Sequence, residues 1–261
     1  MQTPFKGNTY ITPESARKYK PLTSFGMCLR FYIGYLAITI KSRSLAIKGD
    51  YDGENWVKCS IWIFNLIEKF GGRFHIEGLD NLRNTAGNAV VIVSNHMSTL
   101  ETMIYPGIIR SVMPISFVMK ESLLRGKIVG PVMRATEPVA VKRENPREDL
   151  TLVLEQGSEL LKKGRSVVIF PQSTRSESFI PEKFNSLGVK LARKAGVKIL
   201  PAALKTDFWG NGKLFRPLGK LSPEKTIHIK FGKPIEITGT GTEQHHQTIE
   251  FITSNLAKWN D

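Results

Sequence analysis

The stretch Ala89-Val-Val-Ile-Val-Ser94-Asn95-His96-Met97-Ser98-Thr99-Leu100-Glu101 decides the fold. A mostly β-branched apolar run ends in a small polar turn, and ionisable side chains follow at once. Such a run reads as a buried strand, and the residues after it stand at a sheet edge within reach of a substrate. Histidine is the side chain best matched to moving a proton near neutral pH, and a carboxylate partner fixes its tautomer and raises its basicity. The spacing also constrains geometry, because five residues on a regular helix are about 140° apart and share no face. His96 and Glu101 meet only if His96 sits in the turn or cap and Glu101 lies on the first turns of the next helix. Ser98 and Thr99 are the N-cap residues for that arrangement.

Working outward, short β-branched runs recur at residues 114–119, 138–142, 166–170, 198–204 and 226–231. Helical patterns fall between several of them. Residues 147–163 carry Leu150, Val153, Leu154, Leu160 and Leu161 on one stripe. Residues 183–195 form a second pattern ended by Gly196, and Ile249, Ile252, Leu256 and Trp259 mark a last amphipathic helix. Strands separated by helices predict an α/β domain, a twisted mostly parallel or mixed β-sheet flanked by helices. Ligands of such sheets bind beyond the carboxyl ends of the strands. His96 and Glu101 follow one run, Lys142 and Arg143 another, and Gln172-Ser173-Thr174-Arg175-Ser176 a third. In that last loop Arg175 offers a planar fork of donors suited to phosphate, and Ser173, Thr174 and Ser176 add hydroxyls. Arg143 stands as a second cation for the same anion.

The 261 residues carry a net charge of +14, which predicts attraction to a polyanion: nucleic acid, an anionic membrane surface or an acidic carrier. The distribution narrows the choice. Residues 1–49 hold eight basic side chains against Glu14 alone, half of the net charge in the first fifth of the chain. Among them lies an aromatic-rich apolar run, residues 22–40, followed by a second at 56–70. The first is about as long as a membrane span, which needs roughly 20 residues. It carries Arg30 in its middle and is basic at both ends, so it reads as a helix lying in the headgroup region. We therefore expect residues 1–70 to be a basic tail with membrane-associating helices, and residues 71–261 to be the α/β domain. No basic-aromatic motif of a nucleic-acid reader accompanies the charge, so no nucleic-acid partner is expected.

Residues 1–20 read as mobile, and their polarity, with no small-residue cleavage site after the apolar run, argues against a signal peptide. Cys28 and Cys59 sit in apolar segments without metal-ligand spacing and read as buried thiols of a reducing compartment. His75 and His228 alternate like strand residues and read as structural. His245 and His246 lack a third ligand nearby, so no metal is expected. Lys120 and Arg125 are candidates for phosphates of an acyl donor, and the loop 207–212 around Trp209 borders the site without an assigned role.

Four blocks together resemble the glycerolipid acyltransferase superfamily, the 1-acylglycerol-3-phosphate (lysophosphatidic acid) acyltransferases in particular. Asn95-His96-Met97-Ser98-Thr99-Leu100-Glu101 resembles the first, Asn-His, four residues and an acid. Residues 130–143 resemble the second, which ends in a strand and an arginine; Phe170-Pro171-Gln172-Ser173-Thr174-Arg175-Ser176 resembles Phe-Pro-Glu-Gly-Thr-Arg-Ser, and residues 197–202 the proline-centred fourth. The resemblance covers residues 75–205, about half the chain. It implies a twisted sheet flanked by helices behind a membrane-facing helical motif. It also implies an O-acyltransferase of phospholipid biosynthesis, with His96 as general base on the acceptor hydroxyl and Glu101 orienting it. Asn95, Arg143, Gln172, Ser173, Thr174, Arg175 and Ser176 would bind substrate. The co-substrate would be an acyl thioester of coenzyme A or an acidic acyl carrier protein, with no other cofactor. The acceptor would be a lysophospholipid, and the place the cytoplasmic face of the inner membrane, held peripherally or monotopically. Glu101 stands where aspartate is commoner, and Gln172-Ser173 replaces Glu-Gly, removing a charge and the conformational range of glycine. Residues 184–188 depart from the usual Phe-Lys-x-Gly, with Lys183 in place to stand for that lysine. Another lysolipid acceptor, or a membrane-bound scaffold without turnover, are the alternatives.

Overall fold

Along each central strand the side chains point alternately to two faces, and this alternation divides the core in two. The computed structural model describes residues 4–16, 24–172, 174–212 and 217–260. The chain passes through β1 (Tyr10–Ile11), α1 (Ser24–Lys48), α2 (Gly53–Lys69), β2 (Arg73–Glu77), α3 (Leu79–Arg83), β3 (Val91–Ser94) and α4 (Leu100–Tyr105). It continues through β4 (Ile115–Lys120), α5 (Gly130–Ala135), β5 (Val139–Val141), α6 (Pro146–Lys162) and β6 (Ser166–Ile169). The last elements are α7 (Leu187–Ala195), β7 (Ile199–Lys205), β8 (Thr226–Phe231) and α8 (Thr242–Asn260).

The eight strands form one sheet in the order β1-β2-β8-β7-β3-β6-β4-β5. The β1–β2 and β7–β8 pairs are antiparallel and the other five are parallel, so the sheet is mixed, as the spacing of strands and helices predicts. Ile92, Val168, Leu200, Ala202 and Leu204 face a core shared with α1, α2, α3 and α4. Val91, Val93, Val167, Ile169, Ile199 and Ala203 face a second core shared with α6, α7 and α8. Each fully buried Leu, Ile or Val side chain contributes about 1.5–3 kcal/mol, and strands covered on both faces read as continuous apolar runs for this reason.

Local chemistry sets the helix ends. Asn145 caps α6 by accepting from Arg147 N–H, and Pro146 occupies the first turn, where its missing donor costs nothing. The helix expected over 183–195 starts later, at Leu187, because Pro181–Lys183 form a 3-10 turn and Asn185 Oδ1 accepts from Leu187 N–H at 3.0 Å. It ends at Gly196, whose φ of 67° is the left-handed C-terminal conformation that glycine adopts without strain.

The N-terminal helices set apart by composition at residue 70 pack into the first core: Phe31, Ile61, Phe64 and Ile67 join Phe74, Ile92 and Leu100 there. α1 is apolar on two sides. Met27, Phe31 and Ser42 are buried, with Tyr35 and Ile38 packed against the core. At about 100° per residue the opposite side carries Leu29, Ile33, Leu36, Ile40 and Ile47, each 48–58% exposed. Two apolar faces give the sequence the look of a span, yet among the described residues no helix is long and apolar enough to cross a membrane.

Residues 4–16, expected to be mobile, are tied down instead. Tyr10 and Ile11 pair with β2, and Tyr10 Oη and Thr12 Oγ1 donate to Glu68 Oε1 of α2 at 2.7 and 2.6 Å. Residues 17–20 lie outside the described chain. A further tie links α2 to α4. Past α4 the chain turns through Pro106, which has no N–H, and the helix widens to a π turn over Pro106–Arg110. There the Gly107 N–H donates to Ser60 Oγ (2.8 Å), and Ser60 Oγ donates in turn to Met103 O (2.6 Å). A hydroxyl of α2 thus replaces one rung of the neighbouring helix.

Candidate active site

β3 lies between β7 and β6, all parallel, so the loops after these three strands gather at one end of the sheet. His96 occupies the loop after β3 and Glu101 the first turn of α4, the only placement that brings residues five apart together. His96 Nδ1 lies 2.9 Å from Glu101 Oε1. The carboxylate is fully buried and accepts from five donors. Oε1 takes His96 Nδ1, Met97 N–H (2.7 Å) and Ser98 N–H (2.8 Å); Oε2 takes Ser98 Oγ (3.0 Å) and Thr206 Oγ1 (2.7 Å). Burial by itself would raise its pKa, but the bonds from His96, Thr206 and the Ser98 backbone prevail and hold it below the usual carboxylate range. Glu101 is thus an anion, and Nδ1 carries the proton that faces it. The N-cap of α4 is Thr99, whose own side chain makes no capping bond; Ser98 Oγ accepts the Leu100 N–H at 3.1 Å in its place, while Glu101 reaches back to the Met97 and Ser98 N–H groups of the loop before the helix.

The loop carrying His96 is held from both sides. Gln172 Oε1 accepts its N–H at 2.7 Å, and Ser176 N–H donates to its carbonyl at 3.0 Å. The imidazole stacks on Phe170 with centroids 4.3 Å apart and planes 20° from parallel. Arg175 Nη1 donates to Thr99 Oγ1, which brings the guanidinium to the start of α4. Gln172, Arg175 and Ser176 therefore adjoin the His96 loop, with the exposed Thr174 between them in sequence, and Gln172 supplies an uncharged oxygen for the His96 N–H. Ser173 lies outside the described residues.

One expectation is corrected. Asn95 is buried at 2% exposure and both polar ends of its amide bond the backbone of β7: Nδ2 donates to Leu204 O and Oδ1 accepts Leu204 N–H, both at 2.8 Å. It clamps the end of β3 to β7. Arg143 follows β5, which is two places from β6, the strand that leads to Arg175, about 10 Å at the usual strand spacing of ~4.8 Å. Asp149 holds its backbone by accepting the N–H groups of Lys142 (3.0 Å) and Arg143 (2.8 Å), and its φ of 65° is uncommon for a non-glycine residue. Arg143 borders the far rim of the strand ends.

The loop 207–212, expected to border the site without an assigned role, forms with Thr206 its third wall. After β7, Thr206 holds Glu101 Oε2, its N–H donates to Met97 Sδ (3.2 Å), and Asn211 Nδ2 donates to Met97 O (2.9 Å). The rule of strand ends applied to the run at 198–204 points to this loop, but only the β7–β3 pairing shows that it abuts His96. Elsewhere, His75 and His228 face one another across β2 and β8, with ring centroids 5.6 Å apart, and His228 stacks on Trp259. Cys28 and Cys59 are free thiols, half-buried and buried. No cluster of three His, Cys, Asp or Glu able to hold a metal occurs among the described residues.

A histidine on a buried carboxylate at the strand ends is a site for moving a proton. The chain belongs to the acyltransferase family, whose model matches residues 73–205. It is 32% identical over 188 residues to the 1-acyl-sn-glycerol-3-phosphate acyltransferase of Pseudomonas aeruginosa, which covers 72% of this chain and 68% of that protein. The chloroplast enzyme of that name from Arabidopsis thaliana is 34% identical over 182 residues, 69% of this chain and 46% of the relative. The fold is that of the 1-acyl-sn-glycerophosphate (LPA) acyltransferase PlsC from Thermotoga maritima. The TM-score is 0.67 at 19% identity, over 90% of this chain and 95% of that one.

Proposed function

We propose that the protein transfers a fatty acyl group from an acyl thioester to the free hydroxyl of 1-acylglycerol-3-phosphate, giving phosphatidic acid. The carrying observation is the His96–Glu101 pair, a partly exposed imidazole on a buried, five-fold hydrogen-bonded carboxylate. His96 Nε2 takes the proton of the acceptor hydroxyl as its oxygen attacks the thioester carbonyl. The C–O ester bond forms, the C–S bond breaks, and the imidazolium returns the proton to the departing thiolate. Positioned base catalysis of this kind contributes about 10²–10⁴-fold. Glu101 stabilises the imidazolium, and no nucleophilic Ser or Cys takes part.

Arg175, with Thr174 and Ser176, binds the acceptor phosphate beside His96, and Arg143 with its basic neighbours at the rim meets the phosphates of coenzyme A or the acidic surface of an acyl carrier protein. The relatives named for this acceptor support the choice of substrate. The exposed stripe Leu29–Ile33–Leu36–Ile40, beside Arg30 and Lys41, supports attachment to the anionic cytoplasmic face of the inner membrane with α1 lying in the headgroup region. Product analysis by mass spectrometry, with a panel of lysolipid acceptors and both donor types, tests the reading. Phosphatidic acid should form from lysophosphatidic acid in preference to head-group-bearing lysolipids and should vanish in H96A. Transfer to no lysolipid, or retained transfer by H96A, overturns it.

A further inference from the structure

The segment after β7 touches the site at both of its ends, through Thr206 and Asn211, and the outer helix at its middle, through Trp209. Trp209 is fully buried. Phe31 and Tyr35 of α1 meet it edge to face with centroids 5.1 Å away, and Tyr32 stands at 6.0 Å. Its Nε1 donates to Pro217 O at 2.9 Å, and its backbone N–H turns back to Thr206 O at 3.3 Å. Three rings of one helix converge on an indole three residues from a donor to Glu101. Such edge-to-face contacts fix a ring's position as well as burying its area.

We propose that Trp209 is a positioning residue for acyl transfer: held by the rings of α1, it sets the Thr206 hydroxyl on Glu101 Oε2 and so fixes the carboxylate behind His96. The inference rests on the catalytic reading of His96 and Glu101 and goes beyond it by making their alignment depend on the seat of α1. The helix that turns an apolar stripe outward is the one that holds the wall of the site inward. Neither Trp209 nor α1 need touch a reacting atom for this; the effect passes through one hydroxyl.

A double-mutant cycle in the full chain tests it, with initial rates on acyl-coenzyme A and lysophosphatidic acid in mixed micelles for T206V, W209L and T206V/W209L. Removing one donor to a buried anion is expected to lower kcat about tenfold in T206V, with the acceptor KM within about twofold. W209L lowers kcat by a similar factor. Because Trp209 acts through Thr206, the double variant loses little more than either single one, whereas independent roles multiply to about a hundredfold. W209F, which keeps a ring between Phe31 and Tyr35, recovers kcat to within about threefold of the unmutated protein. If W209L does not fold, as judged by circular dichroism, F31L takes its place in the cycle from the other side of the contact. Multiplied losses, an unchanged kcat in W209L or F31L, or a change in KM alone overturns the proposal. H96A separates the two levels. If H96A is inactive, such results sink the role of Trp209 alone, whereas an active H96A sinks the catalytic reading beneath it.

Discussion

Replacing Glu101 by glutamine isolates the charge of the carboxylate from its hydrogen bonds. Oε1 accepts three N–H donors and Oε2 two hydroxyls. An amide NH₂ cannot stand among three N–H groups, but the hydroxyls of Ser98 and Thr206 can rotate to accept from it. The glutamine therefore settles with its oxygen in the Oε1 place, and the loop and the imidazole tautomer are kept. What is lost is the attraction between carboxylate and imidazolium. At a charge separation of ~4 Å and an effective dielectric of about 20 this is worth about 4 kcal/mol, close to 10³-fold in rate. Where a carboxylate-to-amide change also inverts the tautomer, losses reach about 10⁴-fold, so E101Q should fall short of that. The assay is thiol release from acyl-coenzyme A under saturating lysophosphatidic acid, with the melting temperature followed in parallel. E101Q is expected to lose about 10³ in kcat with little change in KM or in fold. E101D, retracted by one methylene, should break the contact to His96. A kcat within tenfold of the unmutated protein, or a loss confined to KM, would refute the electrostatic role of Glu101.

Other perturbations test separate parts of the molecule. Q172A leaves the His96 N–H without its acceptor and should lower kcat ten- to a hundredfold, by the ~1–3 kcal/mol of an unsatisfied buried donor, while Q172E keeps an oxygen in reach. Equal losses in both would sink the acceptor role. I33D combined with I40D should weaken flotation with anionic vesicles and leave turnover on micellar acceptor within twofold; unchanged flotation refutes the outward face of α1 as the membrane contact. Burial, then the neighbouring His75 and Lys205, push His228 down to about 4. Below pH 6.5 the unfolded chain takes a proton that the folded one refuses, so stability is complete above that pH and falls towards pH 4. Discounted for partial exposure, the loss is about 1–2 kcal/mol, and H228Q should flatten the change in urea midpoint between pH 7 and pH 4.5. An unaltered pH dependence in H228Q would count against it.

The sheet was legible because strands buried on both faces leave continuous apolar runs, and the residues following them fell where strand ends put them. His96 and Glu101 meet for a reason also present in the sequence, a turn followed at once by a helix start. The loop 207–212 was legible as a border of the site but not its role, and Thr206 was not legible: both lie more than a hundred residues away, and only the place of β7 beside β3 shows what they hold. Asn95 was expected to bind substrate because its block resembles the family's first motif; here its partner is the backbone of Leu204. The run at 22–40 resembled a span because both faces of α1 are apolar, and no pattern of periodicity separates a face turned to Trp209 from one turned outward.

The Ser60 hydroxyl bears on how such enzymes can be rebuilt. A helix that borrows one rung from its neighbour cannot be transplanted alone: α4, which carries Glu101, has part of its hydrogen-bond ladder encoded in α2. A chimera that exchanged residues 1–70 for the N-terminal helices of a relative, to send the enzyme to another membrane, would strand Met103 O and Gly107 N–H unless the incoming segment brought a hydroxyl to position 60. The junction between modules therefore runs through a shared hydrogen bond, not along the chain at residue 70.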